Sequence, residues 1–456
     1  MTIDVLPDNV LLETFHFYKD DTPDYPTFSW RWKTMTQVCR RWRDVVFGSP
    51  LRLDLQLVCT GTTPVSRLLD IWPPFPITVY LPYPRSVLDE NGVENIIAAL
   101  QCRDRISNIL IYEIRGPELE KLVNVLHEPL PLLTRFSLRS SDESVPVLPE
   151  TFLGGSAPRL RTFVLRGIPF PSFPKFILHF THITYLHLFD IPNSGYISPK
   201  VMATCLAALP HLFGFSIGFR SPPSGLLQLS PPHFTRVTLP ALSELDFSGA
   251  SEYFEDFVAR IDTPRLTWFR TVFFMDLIFD IPRLRNFIDG TEGLKPFNQA
   301  RIEISGQAIE IVFDAPIRFE LEIRCERPDW QLSSMTQIFS QQLPLLSHVE
   351  QLELCESRRG DLEWKDDPDM DSAQWLELFR LFVAVQSLYV TEGLVSPVAR
   401  ALQDLTPHTA TEVLPVLQTL FLEELQPSGP VHEAMKPFDT ARQLSQQPVL
   451  IQRWEE

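Results

Sequence analysis

Three aspartates in the stretch DDPDMDSAQWLEL (Asp367, Asp369 and Asp371) have the alternate spacing with which a loop ligates calcium. Such a loop needs glycine at its sixth position for the sharp turn and a bidentate glutamate at its twelfth. Those positions are Ser372 and Leu378, so the stretch reads as a solvated acidic loop, with Asp371 or Ser372 capping the helix that follows. The six cysteines, Cys39, Cys59, Cys102, Cys205, Cys325 and Cys355, show no metal-ligand spacing, and the ten histidines do not cluster beside them. The sequence holds no G-x-S-x-G elbow, phosphate loop, dinucleotide fingerprint or H-E-x-x-H pair. It offers no catalytic, metal or cofactor residue, and the chain is read as a non-enzyme without cofactors.

Chemistry of recognition is better represented. Short segments with apolar residues in the pattern apolar-x-x-apolar-x-apolar recur along the chain: LTRFSL (133–138), LRTFVL (160–165), ITYLHL (183–188), LFGFSI (212–217), LSELDF (242–247), LTWFRT (266–271), VEQLEL (349–354), VQSLYV (385–390) and LQTLFL (417–422). Thr271 alone departs from the pattern, and ISNILI (106–111) extends the series upstream. On a strand, the residues between the apolar ones face away from the core. They include Arg135, Arg139, Arg166, Tyr185, His187, Phe189, Glu244, Asp246, Trp268 and Arg270. Arginines and aromatics on one sheet face are what an interface with another protein uses, so these ten form the candidate target-binding face.

Outside one gap of 83 residues, the segments recur every 23 to 36 residues. Helix-like stretches with apolar residues at i, i+3 and i+4 fill the intervals, for example 91–101, 199–209 and 251–261. Many of the 41 prolines stand just ahead of a segment, as in AALPHL and TLPAL, where they bar helix and favour extended backbone. No single unit can bury its apolar edge alone, so neighbours must stack. Within the gap, the run 300–326 changes to period two at Ile302, Ile304, Ile309, Ile311, Phe313, Ile317, Phe319, Leu321 and Ile323, with turn signals at SGQ and DAP. It reads as a three-stranded antiparallel meander inserted in, or replacing, a helical crossover.

The repeat pattern resembles leucine-rich repeats. That resemblance implies parallel strands on one face and helices on the other. The usual ladder residue, Asn or Cys three positions after the last apolar residue, is absent. Ser141, Ile168, Ile191, Arg220, Ala250, Phe274, Ser357, Gly393 and Leu425 stand there instead.

The first 55 residues are different. Pro7 and Asp8 start a helix carrying Val10, Leu11, Thr14, Phe15 and Tyr18. A polar linker, TPDYPTFS, leads to WRWKTMTQVCRRWRDVVFGSPL, where Trp32, Met35, Val38, Cys39, Trp42 and Val45 recur at threes and fours until Gly48 and Pro50. Two or three short helices bury too little to be stable without support. Leu6-Pro7, the Leu11/Leu12/Phe15 helix, Val38-Cys39-Arg40-Arg41-Trp42 and Ser49-Pro50-Leu51 together resemble an F-box. The acid usually found two residues after Leu-Pro is here Asn9, and the inter-helix linker is longer than usual. The resemblance implies docking to a Skp-type adaptor, and through it to a cullin-RING assembly, by Leu6, Pro7, Leu11, Phe15, Val38, Cys39, Trp42 and Pro50. Among these, Cys39 and Phe15 read first as core packing, and Leu6 and Pro7 as interface. The repeats would then hold an unknown target for ubiquitination.

The expected architecture is therefore α/β: a helical module over 1–55, and over 56–456 an irregular leucine-rich-repeat-like solenoid with the antiparallel insert. A net charge of -17 argues against nucleic acid as a partner. No apolar run approaches the 20 or so residues a membrane span needs. The N-terminus shows no leader pattern. Scattered cysteines suit a reducing compartment, cytosol or nucleus. Two other readings stay open: a repeat scaffold that binds its partner without ubiquitination, and an α/β enzyme with an unrecognised site.

Overall fold

A computed structural model describes residues 6–20, 31–50, 53, 55–81, 88–221, 236–274, 282–291, 297–314, 318–325, 328–341, 344–356, 372–403, 405–423 and 429–454. The acidic loop with Asp367, Asp369 and Asp371, the linker 22–29, Leu51, Ile317, and the ladder positions Ser357 and Leu425 lie outside these residues. The chain forms two compact units, Met1–Tyr196 and Ile197–Glu456. Both are mixed α/β, built on a large, mostly parallel sheet with helices packed along it.

In the first unit three helices, α1 (Asp8–Asp20), α2 (Arg31–Val38) and α3 (Arg40–Gly48), precede the strands β1 (Leu57–Cys59), β2 (Ile77–Leu81), β3 (Ile106–Ile111), β4 (Arg135–Arg139), β5 (Thr162–Arg166) and β6 (Tyr185–Ile191). These strands pair in parallel in chain order. In the second unit follow β7 (Gly214–Phe219), β8 (Val237–Thr238), β9 (Glu244–Gly249), β10 (Ile261–Asp262), β11 (Trp268–Phe274), β12 (Gln299–Ile304), β13 (Ala308–Phe313), β14 (Arg318–Arg324), β15 (Gln351–Glu356), β16 (Ser387–Val390), β17 (Thr419–Leu422) and β18 (Leu450–Arg453). The order in this sheet is β7-β9-β11-β14-β13-β12-β15-β16-β17-β18, and β8 and β10 form a separate parallel pair.

Every segment matching the apolar-x-x-apolar-x-apolar pattern contains a strand, and its apolar residues are buried. Phe136 and Leu138, Phe163 and Leu165, Leu245 and Phe247, and Leu388 and Val390 are each 3% exposed or less. Burying one such side chain is worth about 1.5–3 kcal/mol, and only the neighbouring repeat supplies the cover. Phenylalanines form the spine of this core. Phe136 and Phe163 stack at 5.4 Å, Phe269 and Phe319 at 5.0 Å, and Phe313 and Phe319 at 5.7 Å.

The missing asparagine ladder has a substitute at the other end of the strands. The residue after the first apolar position of each segment donates its backbone N–H to the preceding repeat: Thr134 to Ser107 O at 2.8 Å, Arg161 to Thr134 O at 2.9 Å and Thr184 to Arg161 O at 2.8 Å. At Ser107, Thr134, Thr184 and Thr267 the hydroxyl makes a bond to the preceding strand as well. Ser107 Oγ donates to Ile77 O at 3.1 Å, Thr134 Oγ1 to Ser107 O at 3.0 Å, Thr184 Oγ1 to Arg161 O at 3.1 Å and Thr267 Oγ1 to Ser243 O at 3.2 Å.

The 300–326 run is a meander, as its period predicts, but it is woven into the sheet. Strand β14 pairs in parallel with β11, β12 in parallel with β15, and β13 joins them antiparallel to both. The N-terminal apolar periodicity is interrupted as well. Cys39 is extended (φ -157°, ψ 171°), and its Sγ accepts from Trp42 N at 3.4 Å, so it caps α3 and separates it from α2. Spacing at threes and fours runs through Cys39 because the two helices bury the same side of the module. The helices of 199–209 and 251–261 end early, at Ala207 and Val258; Ile261 instead enters strand β10.

Replacing Phe163 by alanine is expected to cost about 3–5 kcal/mol through a cavity in the aromatic spine. Thr134→Val should cost about 1 kcal/mol, the worth of its hydroxyl bonds. Urea midpoints of the two variants measure both, and equal losses would contradict this assignment of roles.

Candidate functional site

The residues expected to dock an adaptor divide by exposure. In the three-helix module Leu11 is 0% and Phe15 1% exposed. Phe15 packs on Trp42 with ring centroids 4.7 Å apart, which places Leu11 and Phe15 inside the module and leaves Trp42 half-buried over them. Leu6, Cys39 and Pro50 are also half-buried, Pro7 is exposed, and Val38 is 59% exposed. Pro7 O accepts from the amides of Val10 and Leu11, starting α1. Arg41 ties that start to α3: its guanidinium donates to Leu6 O and to Asp8 Oδ1, the latter at 2.7 Å. Val10 and Phe17, 40% and 74% exposed, add to the outward apolar surface of the module. A groove of about 590 Å³ between α1 and α3 is lined by Asp8, Leu12, Arg40, Arg41, Asp44 and Val45 among others.

The module is seated on the first strands through Trp32. Its ring lies edge-on to Trp72 at 5.2 Å and Phe75 at 5.5 Å, and its Nε1 donates to Gln56 O at 3.2 Å. This is the supporting domain that so small a helical cluster needs.

The candidate target-binding residues occupy two separate rows. In the first unit the parallel register aligns Arg135, Thr162 and Tyr185; Ser137, Val164 and His187; and Arg139, Arg166 and Phe189. All nine point away from the core, as alternation requires. Ser137 and Val164 are nevertheless 5% and 9% exposed, covered by their longer neighbours on the same face. His187 stacks on Phe189 at 5.7 Å, and Arg139 lies over the ring of Tyr112 at 5.1 Å. Burial, with the Arg139 charge adding to it, holds the His187 imidazole down at about 4, so it is neutral at physiological pH. Alternation breaks at Asp190, whose φ of 51° lies in the left-handed region. Its carboxylate thereby turns to Arg166 Nε, 2.6 Å away.

In the second unit Glu244 aligns with Trp268 and Arg318, and Asp246 with Arg270 and Glu320. Arg270 bridges Glu320 at 3.2 Å and Glu322 at 2.6 Å; Arg324 also reaches Glu322, at 2.8 Å. Glu310 sits opposite both Glu322 and Glu303 across the meander strands. Burial first, then Glu322 and Glu320, push its carboxyl up to about 7 against the pull of Arg270. Asp246 rises to about 6, again chiefly through burial. Reading by segment motif missed Glu303, Glu310, Glu320 and Glu322. The signal was the period-two alternation of 300–326, which puts them on the same face as Arg270.

Farther along, Arg301 pairs with Glu353 at 2.9 Å beside an aromatic group in which Tyr389 stacks on Phe421 at 4.5 Å and meets Trp454 edge-on at 5.5 Å. They border a shallow hollow of about 230 Å³. Among the described residues, its lining holds Arg301, Asp314, Glu353 and Tyr389 and no histidine, serine or cysteine. Among the described residues, no group of three or more His, Cys, Asp or Glu side chains is arranged to hold a metal ion, and no helix is long and apolar enough to cross a membrane.

No family model matches the chain, and no curated protein matches it in sequence. Among solved structures it is similar to the leucine-rich repeat-containing protein LegL7 from Legionella pneumophila, with a TM-score of 0.29 and 13% identity, over 87% of this chain and 99% of that one.

The raised pKa of Glu310 sets a pH dependence. A carboxyl raised from 4.5 to about 7 favours the folded state most when protonated. That contribution is complete below pH 4.5 and is lost as pH rises through 7. Glu310→Gln removes the loss. With its partial exposure discounted, the variant should be more stable than the parent at pH 8 by on the order of 1 kcal/mol, and little different at pH 4. Urea titrations at the two pH values measure the difference, and a gain of the same size at both would contradict the account.

Proposed function

We propose that the chain is a non-catalytic, protein-binding repeat protein that acts as a substrate receptor. Its N-terminal helices dock a Skp-type adaptor, and through it a cullin-RING ubiquitin ligase, while the outward sheet faces hold the target. The reading is carried by one observation. The helical module buries Leu11, Phe15, Trp32, Met35 and Val46, yet leaves the apolar Val38 59% and Phe17 74% exposed. Apolar side chains left outside a completed core are anchors awaiting a partner. The outward faces support target binding by another route. They combine aromatics, arginines and carboxylates on open strands, and a surface of that composition suits protein recognition.

Co-purification of the intact chain with a Skp-type adaptor tests the docking step. Val38→Asp, and separately the pair Leu6→Ala with Pro7→Ala, should weaken capture at least about tenfold while leaving the urea midpoint within about 0.5 kcal/mol of the parent. Phe15→Ala should instead lower stability by about 3 kcal/mol or more. If the parent chain does not retain the adaptor, the helical module is a cap on the first repeats and the ubiquitin-ligase reading fails.

A further inference from the structure

On the outward face of the first unit, Arg139 makes no ion pair with any described residue. Arg139 is half-buried on β4, and its Nε is enclosed without a hydrogen-bond partner. Among the described residues, the guanidinium stacks over Tyr112 at 5.1 Å and its charge acts on the nearby His187 imidazole, but it makes no ion pair. Guanidinium groups withdrawn from water are ordinarily paired, because five directed donors are left idle otherwise. Stacking on an aromatic ring offsets part of that cost and holds the plane in one orientation.

Four carboxylates of the first unit are engaged elsewhere. Asp190 is held by Arg166 at 2.6 Å. Glu113 accepts from Ser141 N at 3.1 Å and Ser141 Oγ at 2.6 Å. Asp142 accepts from Gly116 N at 2.7 Å, and Glu118 pairs with Arg115. The left-handed backbone of Asp190 aims the nearest acid at the neighbouring arginine and away from Arg139. Ser137, two residues back on the same face and 5% exposed, has a second unpaired donor in its Oγ. Val164 and Phe189 lie on the same face, where Arg135 is exposed and Arg166 is paired with Asp190. The His187 imidazole, neutral at physiological pH, adds no compensating negative charge.

We propose that Arg139 is the anchor for a carboxylate-bearing segment of a partner protein, an extended stretch in which an Asp or Glu meets the guanidinium and an adjacent apolar side chain lies on Phe189 and Val164. The fit is one of charge and shape. A carboxylate accepts two parallel N–H bonds from a guanidinium, and the open strand face admits a chain rather than a small molecule. The inference deepens the reading of the sheet faces as target-binding and rests on it.

The test is selection from a random dodecamer display library on the intact chain, keeping clones that bind the parent and not Arg139→Glu. The kept clones should share an Asp or Glu next to an apolar residue. As synthetic peptides they should lose at least tenfold in affinity on Arg139→Ala or when the acid is replaced by Asn or Gln, while Arg139→Lys keeps part of the binding. Urea midpoints of the Arg139 variants close to the parent's would exclude misfolding as the cause. An empty set, a set without carboxylates, or unchanged affinity for the amide peptides would overturn the proposal. So would phosphoserine at the acid position binding more than tenfold tighter, because the natural ligand would then be a phosphate. Adaptor capture is measured on the same Arg139→Glu protein. Capture with no selected peptide sinks this inference alone, and peptide selection without capture sinks only the docking step.

Discussion

A parallel strand can neither bury its apolar edge nor satisfy its own backbone, and in this molecule one repeated bond solves both problems. In two runs of repeats, the amide at the entrance of a strand donates to the carbonyl at the entrance of the strand before it. In the first unit the chain of bonds runs Ser107, Thr134, Arg161, Thr184; in the second it runs Glu350, Gln386, Gln418, Leu450. Because side chains alternate strictly along a strand, fixing the entrance fixes which residues go inward. Phe136 and Phe163 meet in the core for the same reason that Arg139 and Arg166 lie side by side outside it. The surface chemistry is thus a by-product of the pairing that holds the core.

That coupling explains what could be read in advance. Each motif segment became a strand because the motif is the pairing pattern itself. Strands outside the motif escaped notice for physical reasons. Strand β18 has no core face of its own, and Leu450 is 56% exposed. Strand β2 is buried on both faces, so ITVYL carries no alternation, and β8 and β10 are only two residues long. The outward rows were legible down to individual residues. Their state was not: whether Ser137 is covered, which acid reaches which arginine and how far Asp190 rotates depend on neighbours one or two strands away. In the N-terminal module, the break at Cys39 could not be seen in the spacing, because a thiol is a weak acceptor and seldom caps a helix.

The two units present opposite chemistries on equivalent faces. The first leaves a guanidinium without an anion; the second crowds Asp246, Glu303, Glu310, Glu320 and Glu322 around Arg270 and its arginine neighbours. In both, part of the charge is held in an unfavourable setting by a scaffold that is stable for other reasons. Protein surfaces that tolerate such settings are commonly those that meet a partner. The helical module follows the same division: its interior is settled by Phe15, Trp32 and Val46, and what it leaves outside is apolar.

The detour of the meander has a consequence for how the molecule is made. From β9 onward in the large sheet of the second unit, each other strand emerging from the ribosome finds a neighbour already in place. Strand β12 is the exception, since both its neighbours, β13 and β15, are synthesised after it, and β11 meanwhile waits for β14. The growing sheet therefore stalls with β11 as an open edge until a hairpin has formed beside it and turned back. Assembly in this region proceeds by capture of a preformed three-stranded piece, so the second unit has one step of its construction that is not the addition of a single strand.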